Sequence, residues 1–177
     1  MKLRHLLAMV CLLPCFAGAQ GEAIPAHIRQ ELPDARLSGQ GNFRWYGLKI
    51  YDAALWVGEG GYQGTAASFV LNLSYARELH GERIAQASID EIRELGIGSS
   101  EQQQAWLNKM KALFPDVREG SQISGVYLPA GVARFYLDGK LLGEIADAEF
   151  ARAFFAIWLD PRTRAGSLRK QLLANQS

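Results

Sequence analysis

Arginines and tyrosines are interleaved with apolar residues along several β-like stretches of this chain: Arg44, Tyr51, Tyr75, Arg77, Tyr127, Arg134 and Tyr136. An arginine pairs with a carboxylate, a tyrosine hydroxyl donates to the same group, and apolar walls take up a tail. A sheet face bearing both residue types beneath a helical layer therefore suits an amphipathic acid. Each of these residues also has a purely structural use, as a sheet-edge ion pair or a half-buried tyrosine.

Other chemistries lack their signatures. No G-x-S-x-G turn occurs. Gly58-Glu59-Gly60 and Gly39-Gln40-Gly41 lack the third glycine of a dinucleotide fingerprint, and there is no phosphate loop. His27 and His80 stand far apart with no cysteine near either, so no metal spacing is formed. No cofactor is expected. Asp90, Glu91 and Glu94 share a helical stretch and fit a solvated face. Asn72-Leu73-Ser74 is a formal glycosylation acceptor, but it falls inside an apolar strand pattern and carries no weight.

The N-terminus sets the expected compartment. Lys2, Arg4 and His5 precede an apolar run from Leu6 to Phe16, and Ala17-Gly18-Ala19 supplies small residues for cleavage. This pattern predicts a signal peptide over residues 1–19 and a periplasmic mature chain. The apolar run is shorter than the ~18 residues of a membrane span. Val10 and Pro14, rather than small residues, precede Cys11 and Cys15, which argues against lipidation. Cleavage removes both cysteines. The rest can form no disulfide or thiolate site, and its stability must come from apolar burial. With 19 basic against 18 acidic residues in the whole chain, no field gathers phosphates, and nucleic acid is not an expected partner. Arg162, Arg164, Arg169 and Lys170 read as the solvated face of a last helix. No segment beyond the signal is suited to span a membrane.

The remaining chain reads as a leader over residues 20–36 and one domain over residues 37–177. Pro25 to Leu32 suits a short helix or turn. Asn42 to Tyr46, Leu48 to Val57 and Ser68 to Tyr75 read as strands. The second is apolar on both faces and belongs inside a sheet. Ile84 to Leu95 has helical periodicity and stops at Gly96. Ser100 and Gln103 suggest a capping box for a helix that turns Trp106, Met110 and Leu113 inward. Gln122 to Leu128, Ala133 to Leu137 and Lys140 to Ile145 form a meander with an Asp138-Gly139 turn. Asp147 caps a helix with a Phe150, Phe154, Ile157 and Trp158 stripe. Ser167 to Leu173 forms a final short helix. This order predicts an α+β layer with an antiparallel sheet.

Gly39-Gln40-Gly41-Asn42-Phe43-Arg44, followed by Lys49-Ile50-Tyr51-Asp52-Ala53-Ala54-Leu55-Trp56-Val57, resembles the strand pair of the chalcone-isomerase-like family, in its exported bacterial branch. Tyr75-Ala76-Arg77, Ser88-Ile89-Asp90-Glu91, Phe114-Pro115-Asp116-Val117, Gly143-Glu144-Ile145-Ala146-Asp147 and Ile157-Trp158-Leu159-Asp160-Pro161 extend the likeness to roughly Leu37–Leu173. The resemblance implies an open-faced β-sandwich, with a large antiparallel sheet, a helical layer and a ligand cleft between them. The family's enzymes cyclise chalcones by means of an arginine with threonine, tyrosine and asparagine partners. Its binding members hold fatty acids through an arginine and a tyrosine.

Carried over, the family's arginine meets Arg44 in one register and Phe43 in another. A one-residue slip reverses the face, and Gly47 is a possible bulge that restores the phase. The catalytic threonine falls on Tyr51, as in the binding members. The late hydroxyl falls near Leu168, and the tyrosine–asparagine pair has no counterpart on the Ile84–Leu95 stretch. Three readings follow. One is a binding protein for a small apolar acid, held by Arg44, Tyr51, Tyr75 and Arg77. Another is an isomerase or intramolecular lyase acting on a phenol through Arg44 and Tyr51. The third is a structural domain whose cleft is filled by its own side chains.

Overall fold

The computed structural model describes residues 23–175, so the expected signal peptide lies outside the described residues. Six antiparallel strands follow one another in spatial order: β1 (Arg36–Trp45), β2 (Leu48–Val57), β3 (Phe69–Tyr75), β4 (Gln122–Leu128), β5 (Val132–Leu137) and β6 (Lys140–Ala146). Between β3 and β4 the chain leaves the sheet to form α2 (Gly81–Glu94) and α3 (Ser100–Leu113). After β6 it adds α4 (Ala148–Leu159) and α5 (Gly166–Leu172). This is the expected α+β open-faced sandwich.

Period-2 alternation assigns the two faces of the sheet. Ala53, Leu55 and Val57 of β2, Phe69, Leu71 and Leu73 of β3, Ile123 and Tyr127 of β4, and Phe135 of β5 pack against the helices. Phe150, Phe154, Phe155 and Trp158 of α4 fill this core, with ring centroids 5.0–6.1 Å apart in the α4 and sheet cluster. Asp147 accepts the Phe150 N–H at 3.0 Å and caps α4 as the sequence predicts. The Asp138-Gly139 turn takes positive φ at both residues, 49° and 79°, as a type I′ hairpin requires.

The opposite face is covered by α1 (Ala26–Glu31). Ile28 packs with Trp56, Val70, Val126 and Tyr136 in a second, smaller core. Its polar side is anchored as well. His27 Nε2 meets Ser124 Oγ at 2.8 Å, and Glu31 accepts from both Arg134, at 2.9 and 3.0 Å, and the Tyr136 hydroxyl. Arg134 and Tyr136 thus hold α1 to the sheet, on the face away from α2–α5.

Several boundaries differ from the sequence reading. β1 starts at Arg36 rather than near residue 42, although Gly39 and Gly41 are poor strand formers. Both glycines lie under α5. A Cβ on Gly39 would collide with the Gln171 carbonyl, and one on Gly41 with the Gln171 and Leu168 side chains. The capping box of α3 sits one residue earlier than expected: Ser99 N–H donates to Gln102 Oε1 at 2.8 Å and Gln102 N–H to Ser99 Oγ at 3.2 Å. The β1–β2 pairing is interrupted twice, with Ser38 of β1 extra between Leu37 and Gly39 and Ile50 of β2 extra opposite the Phe43–Arg44 step, while Gly47 occupies the turn with φ 81°.

Candidate functional site

The unbroken pairing of Gly39 to Phe43 with Leu55 to Tyr51 settles which side chain faces the helices. Phe43 pairs with Tyr51 and Arg44 with Lys49, and the Phe43 ring stacks on Tyr51 with centroids 5.3 Å apart at 17°. Arg44 stays exposed at the hairpin end. Its Nε donates to Asn42 Oδ1 at 3.2 Å and its NH1 to the Gly47 carbonyl at 3.0 Å. Phe43 therefore occupies the place beside Tyr51, and Arg44 braces the turn.

Tyr51 and Tyr75 are register partners on β2 and β3, and their rings meet edge to face at 5.9 Å. The Trp158 indole N–H, from α4, donates to the Tyr51 hydroxyl oxygen at 2.9 Å. Burial pushes the Tyr51 phenol well above its ordinary range. The Trp158 bond works against that rise, and the charge of Glu91 on α2 adds to it. Burial and then the neighbouring Tyr51 push Tyr75 up as well. A phenol held neutral is a hydrogen-bond donor, not a general base. Because its oxygen accepts from Trp158, the Tyr51 proton remains free to be donated to another group.

Arg77 follows Tyr75 by two residues, where the chain leaves the sheet and Ala76 N–H still bonds the Ile50 carbonyl. The residue is half-buried, and its Nε is enclosed with no hydrogen-bond partner among the described residues. Of the four residues singled out from the sequence, the structure brings Tyr51 and Tyr75 into contact, leaves Arg77 at the same strand end, and sends Arg44 into solvent.

Two participants, Trp158 and the Glu91–Arg164 pair, escaped sequence reasoning, whereas Leu168 was already placed by the resemblance. Trp158 was visible only as part of a core stripe, and nothing in its spacing points to a hydroxyl on β2. Arg164 makes two bonds to the Glu91 carboxylate, 2.6 and 3.2 Å long, so the acidic stretch of α2 and the basic stretch near α5 neutralise each other across the helical layer. Leu168 is buried on α5 against Gly41 and supplies an apolar wall where a hydroxyl would serve an enzyme. Arg162 and Arg169 are likewise committed, to Asp160 at 2.9–3.0 Å and to the Leu159 carbonyl at 2.8 Å. A separate groove of about 550 Å³ opens on the outer sheet face beside α1, lined in part by Gln40, Asn42, Asp52, Asn72, Ser74 and Gln122.

An antiparallel sheet backed by helices, with an aromatic cluster at the β1–β3 end, defines an open-faced β-sandwich. A chalcone isomerase-like family model matches residues 17–174, and the chain belongs to that family. An uncharacterised protein of Haemophilus influenzae is 30% identical over 135 residues, which is 76% of this chain; the match spans just under two thirds, 66%, of that protein. The crystal structure of a fatty-acid binding protein of Arabidopsis thaliana superposes with a TM-score of 0.65, covering 90% of this chain and 95% of that one at 15% identity. At that identity the likeness establishes the shared fold.

Proposed function

We propose that this protein is a non-catalytic, exported member of the family that binds a small apolar acid between the sheet and the helices. The observation that carries this reading is the Tyr51 hydroxyl, which is oriented by the Trp158 N–H and kept protonated by burial. Its remaining proton is a donor for a carboxylate or phenol oxygen. Arg77 supplies the cation, because its enclosed Nε has no partner among the described residues and a buried donor gains most from finding one. Phe43, Tyr75 and Leu168 supply apolar walls. The fatty-acid binding activity named for the structurally similar Arabidopsis protein supports the ligand class. Catalysis is disfavoured because the phenol is no base and no cation lies beside it in Arg44's expected place.

The exposed position of Arg44 and the stacking of Phe43 on Tyr51 favour a second reading, in which the side chains themselves fill the cleft and the domain is structural. Native mass spectrometry of protein isolated gently from expressing cells separates the two. A reproducible added mass, released on denaturation and identified as an acyl or aromatic acid, supports binding, and its loss in a folded Tyr51→Phe variant assigns the hydroxyl. A clean apo mass, with no uptake of added fatty acid, supports the structural reading. Cleavage after Ala19, read from the same intact mass, and recovery in an osmotic-shock fraction test the export.

A further inference from the structure

The β1–β2 hairpin ends in apolar residues that stand largely exposed among the described residues. Trp45 is 54% exposed, Tyr46 90% and Leu48 54%, and Trp45 and Tyr46 touch only edge to face, 5.2 Å apart. In the type I′ turn that joins the strands, asparagine, aspartate or glycine is the usual first central residue. Tyr46 holds that position at φ 46°, followed by Gly47 at 81°. A tyrosine held in the left-handed region, 90% exposed and touching only Trp45 among the described aromatic rings, points to a use outside the folded chain. Arg44 and Lys49 flank the tip. Arg44 has no carboxylate partner among the described residues and fastens the turn through the Gly47 carbonyl, and Lys49 reaches Asp52 at 2.5 Å.

We propose that this tip docks the protein on an anionic bilayer, with Trp45, Tyr46 and Leu48 entering the interfacial layer and Arg44 and Lys49 at the headgroups. Tryptophan and tyrosine favour the membrane–water interface because one end of each ring system is apolar and the other hydrogen-bonds. Arg44 beside them, with no carboxylate partner among the described residues, draws the tip to negative lipid, while the charge of Lys49 is partly answered by Asp52. A protein partner fits less well. Specific interfaces bury roughly 800 Å² per side, and a convex two-residue turn with one aromatic pair offers a fraction of that. A bilayer takes up such a point. Tyr51 lies three residues from Leu48, a strand rise of about 10 Å, so docking would bring the aromatic cluster close to the lipid surface. The proposal stands on the tip alone and does not depend on the ligand reading.

Trp45 is the exposed member of the chain's four tryptophans, since Trp56, Trp106 and Trp158 are at most 5% exposed. Emission therefore reports the tip. The protein as cells deliver it is titrated with vesicles of phosphatidylcholine alone and of phosphatidylcholine with phosphatidylglycerol, and binding is checked by co-sedimentation. Wild type and variants share one N-terminus, so the difference between them isolates the hairpin. The expected result is a blue shift with the anionic vesicles that weakens with salt. Partition should fall at least about tenfold in the triple variant W45S/Y46N/L48T. Its asparagine replaces Tyr46 with a residue suited to the left-handed turn, and its fold is verified by circular dichroism. Arg44→Gln should reduce partition about fivefold. Absence of binding to anionic vesicles, or equal binding by the triple variant, overturns the proposal. So does a doubled mass in light scattering that the triple variant abolishes, because the tip would then be a contact between copies.

Discussion

The Trp158 indole N–H on α4 donates to the Tyr51 hydroxyl on β2 at 2.9 Å, joining residues 107 positions apart. This bond ties the helical layer to the sheet at the cluster where a ligand head would be held. In Tyr51→Phe the indole N–H loses its acceptor in a largely dry setting, which should cost about 1–2 kcal/mol of stability. Trp158→Phe should cost more, about 2–4 kcal/mol, because it also removes buried ring volume. The double variant should then cost less than the two single losses combined, as coupled neighbours do. Urea unfolding of the four proteins measures the coupling. Strict additivity would show that the bond contributes nothing.

Burial raises both Tyr51 and Tyr75, which fixes the sign of an alkaline effect. A raised folded-state pKa means that the folded chain keeps protons the unfolded chain gives up once pH passes about 10. Stability is therefore fully present below about pH 10 and declines as pH rises from there toward the folded value. Tyr75→Phe, which removes one such proton, should make the decline shallower while leaving the neutral-pH fold intact. Denaturant midpoints taken between pH 8 and 11 test this. An unchanged alkaline slope in the variant would remove Tyr75 from the account.

Asp147 carries an acid-side counterpart. Burial works to raise its carboxyl, but the Phe150 N–H, the Trp106 indole and Lys109 outweigh that and hold it below the usual carboxylate range. A lowered folded pKa contributes stability above the unfolded value near 4, and this is lost as pH falls through the folded one. Asp147→Ala removes the α4 cap and orphans the Trp106 N–H, for about 2–3 kcal/mol. Asp147→Asn should lose less at neutral pH and flatten the acid limb between pH 5 and 3. Thermal midpoints across that range distinguish the cap from the charge.

What the sequence made legible follows the range of the interactions. Strand alternation, the Asp138-Gly139 turn and the Asp147 cap are local, and each appears where residue types require it. The meander order was equally accessible, because each strand but β4 follows its neighbour with no intervening α-helix. The register of β1 was not. Whether Phe43 or Arg44 faces the helices depends on where the extra residues Ser38 and Ile50 fall in the β1–β2 pairing, and residue types on either side allow both outcomes. The Trp158–Tyr51 bond and the Glu91–Arg164 pair join separate elements, and no spacing within either element announces them. Gly39 and Gly41 fell outside the strand read from the sequence, which began at Asn42, yet their lack of a Cβ is what lets α5 lie on β1.

That close approach makes Gly39 a specific test of the helical layer. An alanine there would drive a methyl group into the Gln171 carbonyl, which belongs to backbone and cannot swing aside. Gly39→Ala should cost about 1–3 kcal/mol and loosen α5, with earlier hydrogen exchange at residues 166–172 than in the sheet. Gly47→Ala also introduces a methyl group, but into open space. Its positive φ should cost about 1 kcal/mol without changing exchange in α5. Equal exchange in the two variants would show that α5 does not depend on contact with β1.

The place of Phe43 yields the sharpest test of the binding reading. The resemblance expects an arginine beside Tyr51, and the β1–β2 register instead puts a phenyl ring there while Arg44 braces the turn. Arg44→Gln should therefore leave fatty-acid uptake within about twofold of wild type, because its guanidinium does not face the cluster. Phe43→Arg places a cation against the Tyr51 hydroxyl, where a carboxylate head would gain a charge-assisted bond of about 1.5–3 kcal/mol, or roughly tenfold or more in affinity. Tyr51→Phe in that background should take back part of the gain, since the phenol and the cation would share one head group. Fluorescent fatty-acid displacement measures all three. If Phe43→Arg folds and still takes up no acid, the cleft is closed to this ligand class and the structural reading stands.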